Sequence, residues 1–456
     1  MKPSGHDSVI VAAATPPGVS ALAVVRLSGK DSIDLVQEVF QGKILTEQPS
    51  HTLHLGTIKD GGELIDEVVV SIFREPNSFT KENSVEISCH GSAVIVQRII
   101  RALLNHGATL ATPGEFTKRA FLNGRFDLAQ AEAVADLINA ETNNARQAAL
   151  NQMRGGFSKE IKRLREKLIH FASLIELELD FGEEDVEFAK REDLRKLILS
   201  IQAFITTLVD SFAQGNVIKN GVPTVIAGKP NVGKSTLHNA LLNEEKAIVS
   251  EIPGTTRDVI EDETILGGIN FRFIDTAGLR ETTDAIEAIG VGRTHEQLKK
   301  ASLILYLVDL SNSSIGEVTA ELRELDKLNI PVIRVANKMD NGNPELVRHL
   351  MKQDFQFISA TQKTNLKALE EKILSRFHVD QVKQGDVVVT NARHYQSLRD
   401  THAALNRVLE GMDNRVTGDF LAMDVRNALH HLGLITGQIT TEDLLGNIFG
   451  KFCIGK

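Results

Sequence analysis

The chain has 456 residues, of which 42% are hydrophobic and 24% are charged, and its formal net charge is -9 at pH 7. This is the composition of a globular protein of roughly three domains, and its acidic balance gives no sign of general nucleic-acid binding. We expect no membrane-spanning run and find no signal-peptide pattern at the start, so the sequence predicts a cytoplasmic protein without membrane insertion. Cys89 and Cys453 lie far apart, which argues against a disulfide framework or a cysteine zinc site. The most basic stretch, Lys159–Lys167, is typical of a charged helix face when it is taken alone.

The first 118 residues predict an α+β domain. Runs rich in β-branched residues, such as Ser20–Leu27 and Glu67–Phe73, are separated by turns that contain proline and glycine. Spacing alone indicates no metal-ligand or nucleophile pattern in this domain.

Two long stretches without proline predict helices. No proline occurs between Pro113 and Pro223 or after Pro344, and apolar residues recur there at spacings of three and four. The predicted helices are one that begins with Leu128–Ile138, then Ile161–Asp180, Asp193–Phe212, Ala392–Met412, Asp419–Gly433 and Thr441–Phe449.

Between these stretches, Gly228–Ser235 fits the phosphate-binding loop pattern G-x-x-x-x-G-K-[ST]. A short apolar strand precedes it and a helical pattern follows it, as this loop requires. We expect Lys234 to reach the β- and γ-phosphates and the Ser235 hydroxyl to bind Mg²⁺. The nucleotide-binding residues predicted from this segment are Asn231, Val232, Gly233, Lys234, Ser235 and Thr236.

Later segments predict that the nucleotide is GTP. Asp340 follows an apolar strand and is placed to accept two hydrogen bonds from guanine, which adenine does not offer. A site of this kind discriminates by roughly 10⁴ or more. Asp275, after another strand, is predicted to hold a Mg²⁺ water, and the N–H of Gly278 to sense the γ-phosphate as part of a switch. The further predicted GTP-binding residues are Ser250, Thr255, Thr256, Thr276, Ala277, Asn337, Lys338, Ser359 and Ala360, with Thr256 as a second Mg²⁺ ligand.

The hydrolysis machinery differs from that of Ras-like enzymes that orient water with glutamine. Leu279 stands after Gly278, and leucine cannot hydrogen-bond a water, so another group must position it. Glu287 and Asn231 are the candidates. With backbone carbonyls between Ser250 and Thr255, Asn231 can hold a monovalent cation such as K⁺ in place of an arginine finger. The alternative for Asn231 is a side chain that only stabilises the loop.

We therefore predict a multidomain protein. An α+β domain, residues 1–118, precedes a discontinuous all-α domain of residues 119–215 plus 381–456. An α/β Ras-like P-loop GTPase domain, residues 216–380, is inserted into the helical domain, which is feasible because domain termini often lie close together. Hydrolysis would then move a helical lever.

Several short motifs, together with the inserted GTPase, carry a resemblance to a known family over the whole chain. The motifs are Ala14–Gly18, Val25–Gly29, Pro76–Thr80, Pro113–Thr117, Asp127–Glu132 and the terminal Cys453–Lys456. With them the sequence resembles the MnmE (TrmE) family of tRNA wobble-uridine modification GTPases. The resemblance implies a folate-binding-like N-terminal domain that forms a homodimer and holds 5-formyltetrahydrofolate as one-carbon donor. It also implies an FAD-containing partner, bound in a heterotetramer or larger complex. Together they add an aminomethyl-type group to C5 of uridine 34 in certain tRNAs.

The resemblance also implies roles for individual residues. Arg26, Glu82 and Lys456 match folate contacts, and Arg125 stands where family members carry lysine, which is not equivalent at a bidentate site. Taken alone, Arg26 and Glu82 are typical of surface ion pairs. The implied K⁺ ligands are Asn231 and the backbone carbonyls of Ser250, Ile252 and Thr255, with Glu287 as the water-orienting residue.

Cys453 is a catalytic candidate near a terminal lysine, as a nucleophile or general acid, although a lone cysteine is often inert. Two other functions remain open. The first is a GTP-dependent binding switch in ribosome assembly, and the second is a folate-dependent one-carbon transferase with a regulatory GTPase.

Overall fold

The computed structural model describes residues 8–180, 191–243, 262–274, 300–377 and 382–455, without the side chains of residues 178–180 and 243. The chain divides into two compact units. Residues 1–138, 150–203 and 397–456 form the first unit, and residues 139–149 and 204–396 form the second.

The elements are numbered in chain order. The strands are β1 Ile10–Ala13, β2 Ser20–Ser28, β3 Phe40–Gln41, β4 Thr52–Asp60, β5 Glu63–Phe73, β6 Ser84–Gly91, β7 Thr109–Leu110, β8 Val222–Ala227, β9 Asp262–Leu266, β10 Ile269–Phe273, β11 Leu303–Asp309, β12 Val332–Asn337 and β13 Gln356–Phe357. The helices are α1 Ser32–Val39, α2 Ala93–Asn105, α3 Glu115–Leu122, α4 Leu128–Ile138, α5 Asn143–Met153, α6 Gly156–Asp180, α7 Arg191–Asn220, α8 Lys234–Asn243, α9 Ile315–Asp326, α10 Pro344–Leu350, α11 Leu366–Leu374, α12 Ala392–Asp413, α13 Gly418–Thr436 and α14 Glu442–Phe449. Single 3₁₀ turns occur at Leu45–Glu47 and Met339–Asn341.

The first unit begins with a mixed sheet of seven strands in the order β3-β4-β5-β6-β2-β1-β7. Side chains alternate between its faces, so Val25 and Leu27 of β2 are buried in the core with residues of α1 and α2. The outer face of β4 carries exposed Leu53 and Leu55. The predicted α+β fold of this region is confirmed.

The rest of the first unit is helical, as the proline-free stretches predict. The helix α6 packs against α13, and burial of Ile161, Leu164 and Leu168 on one side of α6 shows the predicted amphipathic pattern. The helix begins at Gly156 rather than Ile161, and α7 runs on to Asn220 rather than ending at Phe212. The prediction began α6 too late and ended α7 too early because it followed the densest apolar periodicity, whereas the helices continue through more polar turns that still bury Phe157 and Ile218.

In the part of the chain described, α7 is long and apolar enough to cross a membrane by length and composition. The prediction that no run reaches this limit is wrong. A buried stripe that includes Leu194, Ile198 and Ile201, at spacings of four and three, accounts for part of the apolar content, and 28% of the apolar window is buried inside the protein. One such helix is therefore weak evidence for membrane insertion.

The second unit contains a six-stranded sheet in the order β13-β12-β11-β8-β10-β9, parallel except for the β9–β10 hairpin. Every residue of β11 is buried, because Leu303, Leu305 and Leu307 enter one core and Ile304, Tyr306 and Val308 the other. Helices cover both faces, which is the usual environment of a parallel sheet. The predicted α/β GTPase fold is confirmed. The carboxyl ends of β8, β11 and β12 lie at one edge, where such sheets bind ligands.

Candidate functional site

The phosphate-binding loop follows β8 and depends on backbone conformations that favour glycine. Gly228 has φ +145°, and a Cβ atom there would stand 2.5 Å from the carbonyl oxygen of Leu307. Gly233 has φ +96°, and a Cβ atom there would overlap the side-chain amide of Asn337. Asn231 is exposed and also left-handed, with φ +63°. The glycines of the motif are thus required by the close approach of β11 and β12 as well as by the turn itself.

The loop leads directly into α8, which begins at Lys234. The Nζ atom of Lys234 donates to the carbonyl oxygens of Gly228 at 2.7 Å and Lys229 at 2.9 Å, so the ammonium lies over the loop. Ser235 and Thr236 occupy the first turn of α8. The N–H groups of a first helical turn favour anions, so this loop is suited to phosphate binding.

Asn337, at the end of β12, connects the two ends of the nucleotide site. Its Nδ2 atom donates to the carbonyl oxygen of Val232 at 2.8 Å, and its Oδ1 atom accepts from the N–H of Ala360 at 3.0 Å. The side chain is buried, with 2% exposure. One amide therefore fixes the phosphate loop relative to the predicted guanine-contacting turn.

Lys338 makes a second connection. Its Nζ atom lies 2.7 Å from Oδ2 of Asp309 and donates to the backbone carbonyl of Asn231 at 2.9 Å. Burial tends to raise the pKa of Asp309, but hydrogen bonds from Lys338 and Ser311 outweigh it and the pKa is lowered. Sequence reasoning missed Asp309. The available signal was an acidic residue at the carboxyl end of a buried strand, where ligand sites of parallel sheets form.

The base end of the site combines the 3₁₀ turn after Lys338 with the segment after β13. Asp340 is exposed and accepts from Nδ2 of Asn341 at 3.1 Å. Ser359 is buried, and its N–H and C=O both pair with Thr364. The structure thus brings the phosphate loop, residues 337–340 and residues 359–360 to one edge of the sheet, as a guanine-nucleotide site requires.

Other predicted residues lie outside the described part of the chain. They are Ser250, Ile252, Thr255, Thr256, Asp275, Thr276, Ala277, Gly278, Glu287 and Lys456.

A cleft of about 540 Å³ lies in the N-terminal domain and brings Arg26 and Arg125 together. The guanidinium carbons of these arginines stand 5.6 Å and 5.1 Å from the centre of the Phe79 ring. Arg26 also donates to Oε1 of Glu86, with its closest nitrogen at 2.7 Å, and Arg125 donates to the carbonyl of Ser78. Burial lowers the pKa of Arg125. The cleft therefore offers two cations next to one aromatic ring.

Glu82 has a different set of partners. It accepts from the Ser28 hydroxyl at 2.8 Å and from Nη1 of Arg119 at 3.3 Å. The Arg119 side chain is 5% exposed and also bonds Glu115 and the carbonyl of Ser8. Sequence reasoning missed this buried arginine, because no motif marks it.

The two cysteines are free thiols in different surroundings. Cys453 is exposed in the tail after α14, and its carbonyl accepts from the N–H of Gly114 at 3.3 Å. Gly455 has φ +92°, and a Cβ atom there would overlap the carbonyl of Ala13. The tail thus lies against β1. Cys89 is buried, and burial, reinforced by Asp66, raises its pKa to about 11.

Comparisons with known proteins identify the family of the chain. The family model described as the MnmE helical domain matches residues 128–453, and the model of the GTP-binding protein TrmE N-terminus matches residues 9–125. The chain is 58% identical over 454 residues to the tRNA modification GTPase MnmE of Cytophaga hutchinsonii, covering 99% of each. It is 51% identical over 471 aligned positions to the protein of the same name from Christiangramia forsetii, again covering 99% of each.

Among solved structures, a variant of Aquifex aeolicus Era bound to GDP.AlF4- is 28% identical over 40% of this chain and 66% of that chain, with a TM-score of 0.27. The family assignment depends on the full-length relatives and the two family models. The chain belongs to the MnmE family of tRNA modification GTPases.

Proposed function

We propose that this tRNA modification GTPase hydrolyses GTP in a K⁺-dependent way, as a cytoplasmic homodimer. With an FAD-containing partner, in a heterotetramer or larger complex, it adds an aminomethyl-type group to C5 of uridine 34. The one-carbon donor is 5-formyltetrahydrofolate. The proposed domains are residues 1–118, residues 119–215 plus 381–456, and residues 216–380.

The observation that carries the GTPase part is the double connection made by Asn337 and Lys338. Through them the phosphate loop, and Asn231 in particular, is held relative to the base end of the site. Lys234 binds the phosphates, and Ser235 with Thr256 holds Mg²⁺. Asn231 and the carbonyls of Ser250, Ile252 and Thr255 hold K⁺, whose positive charge takes the place of an arginine finger. Glu287 orients the attacking water.

The test compares GTP turnover in KCl and NaCl at equal ionic strength. We expect K⁺ to support turnover and Na⁺ to fail, because a carbonyl cage built for K⁺ is too wide for the smaller ion. Asn231→Ala should remove the difference between the two salts, whereas Asn341→Ala, at an exposed residue of the same unit, should keep it. Equal turnover of the unaltered protein in both salts would show that K⁺ activation is wrong.

The N-terminal cleft supports the folate part. The residues present fit 5-formyltetrahydrofolate, because Arg26 and Arg125 supply positive charge for its carboxylates or ring carbonyl and Phe79 supplies an apolar face. When bound, the folate supplies the one-carbon unit. Glu82 and Lys456 are the remaining proposed contacts, and Cys453 is the proposed nucleophile or general acid.

Calorimetry with 5-formyltetrahydrofolate tests this part. We expect Arg125→Met to weaken binding at least tenfold and Arg125→Lys to weaken it less, because lysine keeps the charge and loses the planar contact with Phe79. Mass spectrometry of wobble uridines from cells with and without the protein tests the modification itself. Unchanged uridines would contradict it. Cys453→Ser with full modification would remove that residue from the mechanism.

A further inference from the structure

We propose that the exposed face of the first half of α6 binds the phosphate backbone of the tRNA substrate beside the N-terminal cleft. This face, called the basic face below, consists of Lys159, Lys162, Arg163 and Lys167. The inference rests on the proposed function in one respect, because it takes the cleft as the place of the one-carbon chemistry. It adds the surface that brings RNA to that place.

The basic face concentrates positive charge in an acidic chain. All four of its residues are exposed, and the side chains of Lys162 and Arg163 retain 49% and 51% of their accessible surface. Two carboxylates lie among them, Glu160 and Glu166, and Glu160 pairs with Arg163 at 2.8 Å. A third carboxylate, Asp127, pairs with Lys162, so the four cations of this face still outnumber the three neighbouring carboxylates, although the whole chain carries a net charge of -9. A local excess of this kind attracts polyanions.

Side-chain contacts place the basic face next to the cleft. Nζ of Lys162 lies 3.7 Å from Oδ2 of Asp127, whose Oδ1 atom accepts from the Ser158 hydroxyl at 2.9 Å. Asp127 follows the cleft residue Arg125 by two positions, a distance that the chain spans in about 7 Å at most. Lys81, which also lines the cleft, donates to the carbonyl of Gly124 at 3.1 Å. The basic face thus lies next to the segment that lines the cleft, with the Asp127 carboxylate between Lys162 and the cleft rim.

The chemistry of the face fits RNA better than a protein partner. Lysine is depleted in protein–protein interfaces, whereas lysine and arginine contacts to phosphate dominate nucleic-acid affinity. From Lys159 to Lys167 the helix rises about 12 Å, at about 1.5 Å per residue. That length covers roughly three nucleotides of a strand with a rise of about 3.4 Å each. The family's substrate class, tRNA, is the polyanion that this protein must position.

The test uses an unmodified tRNA transcript with uridine at the wobble position and measures its affinity for the full-length protein at several salt concentrations. The variant combines Lys159→Gln, Lys162→Gln and Lys167→Gln. The control makes the same charge change at exposed lysines of the second unit, Lys327→Gln, Lys352→Gln and Lys367→Gln. A third variant carries arginine at the three basic-face lysines, which keeps the charge.

We expect the basic-face glutamine variant to raise Kd at least tenfold near 0.1 M salt. It should also make the slope of log Kobs against log salt shallower by about 2 to 3, because each phosphate contact contributes about 0.7 to 0.9 to the magnitude of that slope and three contacts are lost. The Kd values of the control and of the arginine variant should stay within about twofold of that of the unaltered protein. A comparable loss in the control, or in the arginine variant, would overturn the proposal.

Unchanged RNA affinity in the glutamine variant would also overturn the proposal. If binding of the FAD-containing partner fell in that variant instead, the basic face would be a protein-binding surface. Circular dichroism checks folding, and the arginine variant keeps the proposal testable if the glutamine variant does not fold. The binding assay contains no GTP, K⁺ or folate, so failure of the proposed function and failure of this inference give different results.

Discussion

Replacement of Asn337 by alanine tests how the nucleotide site is held together. The side-chain amide donates to Val232 and accepts from Ala360, and it is almost fully buried. Alanine leaves one carbonyl and one N–H without these partners. A buried polar group that loses its hydrogen bond costs about 1–3 kcal/mol, so two such groups cost about 2–6 kcal/mol. We expect the free energy of unfolding to fall by an amount near the middle of that range, because water that enters at the neighbouring loop can replace part of the lost hydrogen bonding.

Thermal unfolding, followed by circular dichroism with and without GDP, measures the effect. For a unit of this size, about 1 kcal/mol shifts Tm by about 2–4 °C, so Asn337→Ala should lower the melting temperature of the GTPase unit by roughly 8–16 °C. GDP should also stabilise the variant less, because a displaced phosphate loop binds it more weakly.

Two further variants sharpen the result. Asn337→Asp keeps the acceptor for Ala360 but places a carboxylate oxygen against the Val232 carbonyl, so we expect a loss as large as that of alanine. Asn341→Ala is the matched control, because within the described ranges that exposed amide bonds only the neighbouring Asp340 side chain. It should change stability by less than about 0.5 kcal/mol. If Asn337→Ala melts like Asn341→Ala, the amide does not hold the site together.

Three other predictions concern separate parts of the molecule. Desolvation of the carboxyl group, reinforced by the neighbouring Glu263 carboxylate, raises the pKa of Glu141 in the folded protein, although the residue as a whole is exposed. The stabilisation by the protonated carboxyl is therefore complete below the unfolded-state pKa of about 4.5 and is lost as pH rises through the folded-state pKa. Glu141→Gln should therefore melt higher than the unaltered protein at neutral pH, with a gain that shrinks towards about pH 4.5, and a gain that is independent of pH would contradict this. Asp309→Asn should weaken GDP binding roughly tenfold in a titration, because the charge that holds its lysine partner is lost. Asp354→Asn removes a carboxylate from an exposed ion pair of the same length and should change GDP binding little. Equal losses of GDP binding in the two variants would argue against a positioning role for Asp309. Gly455→Ala should expose the C-terminal tail to trypsin, because the added methyl group forces the tail away from β1. In the control Gly446→Ala the methyl group enters open space, so trypsin should digest the tail at the rate of the unaltered protein.

The phosphate loop and the central strands were predictable because local chemistry determines them. Gly228 and Gly233 adopt backbone angles that other residues rarely take, and the short apolar strand predicted before this loop is β8. No strand was predicted at β11, although its continuous apolar run is typical of a strand buried on both faces. The predicted helices follow in the same way from their apolar spacing.

The ion pairs were not predictable, because tertiary packing chooses their partners. Arg119 reaches Glu82 across 37 positions of sequence, and Lys338 reaches Asp309 across 29. Charged residues are common, so a sequence offers many equally plausible pairs at such distances. For the same reason the resemblance implies a folate contact for Arg26, while its partner Glu86 was found only in the structure.

The β9–β10 hairpin has a consequence for timing. Asp262, the first residue of β9, pairs with Phe273, the last residue of β10. In the sequence, the predicted Thr256 precedes the first of these residues by six positions, and the predicted Asp275 follows the second by two. One hydrogen-bonded strand pair therefore adjoins the sequence of both predicted switch segments. Because paired strands move as one body, we expect a γ-phosphate switch in these segments to release both of them as one event with one rate.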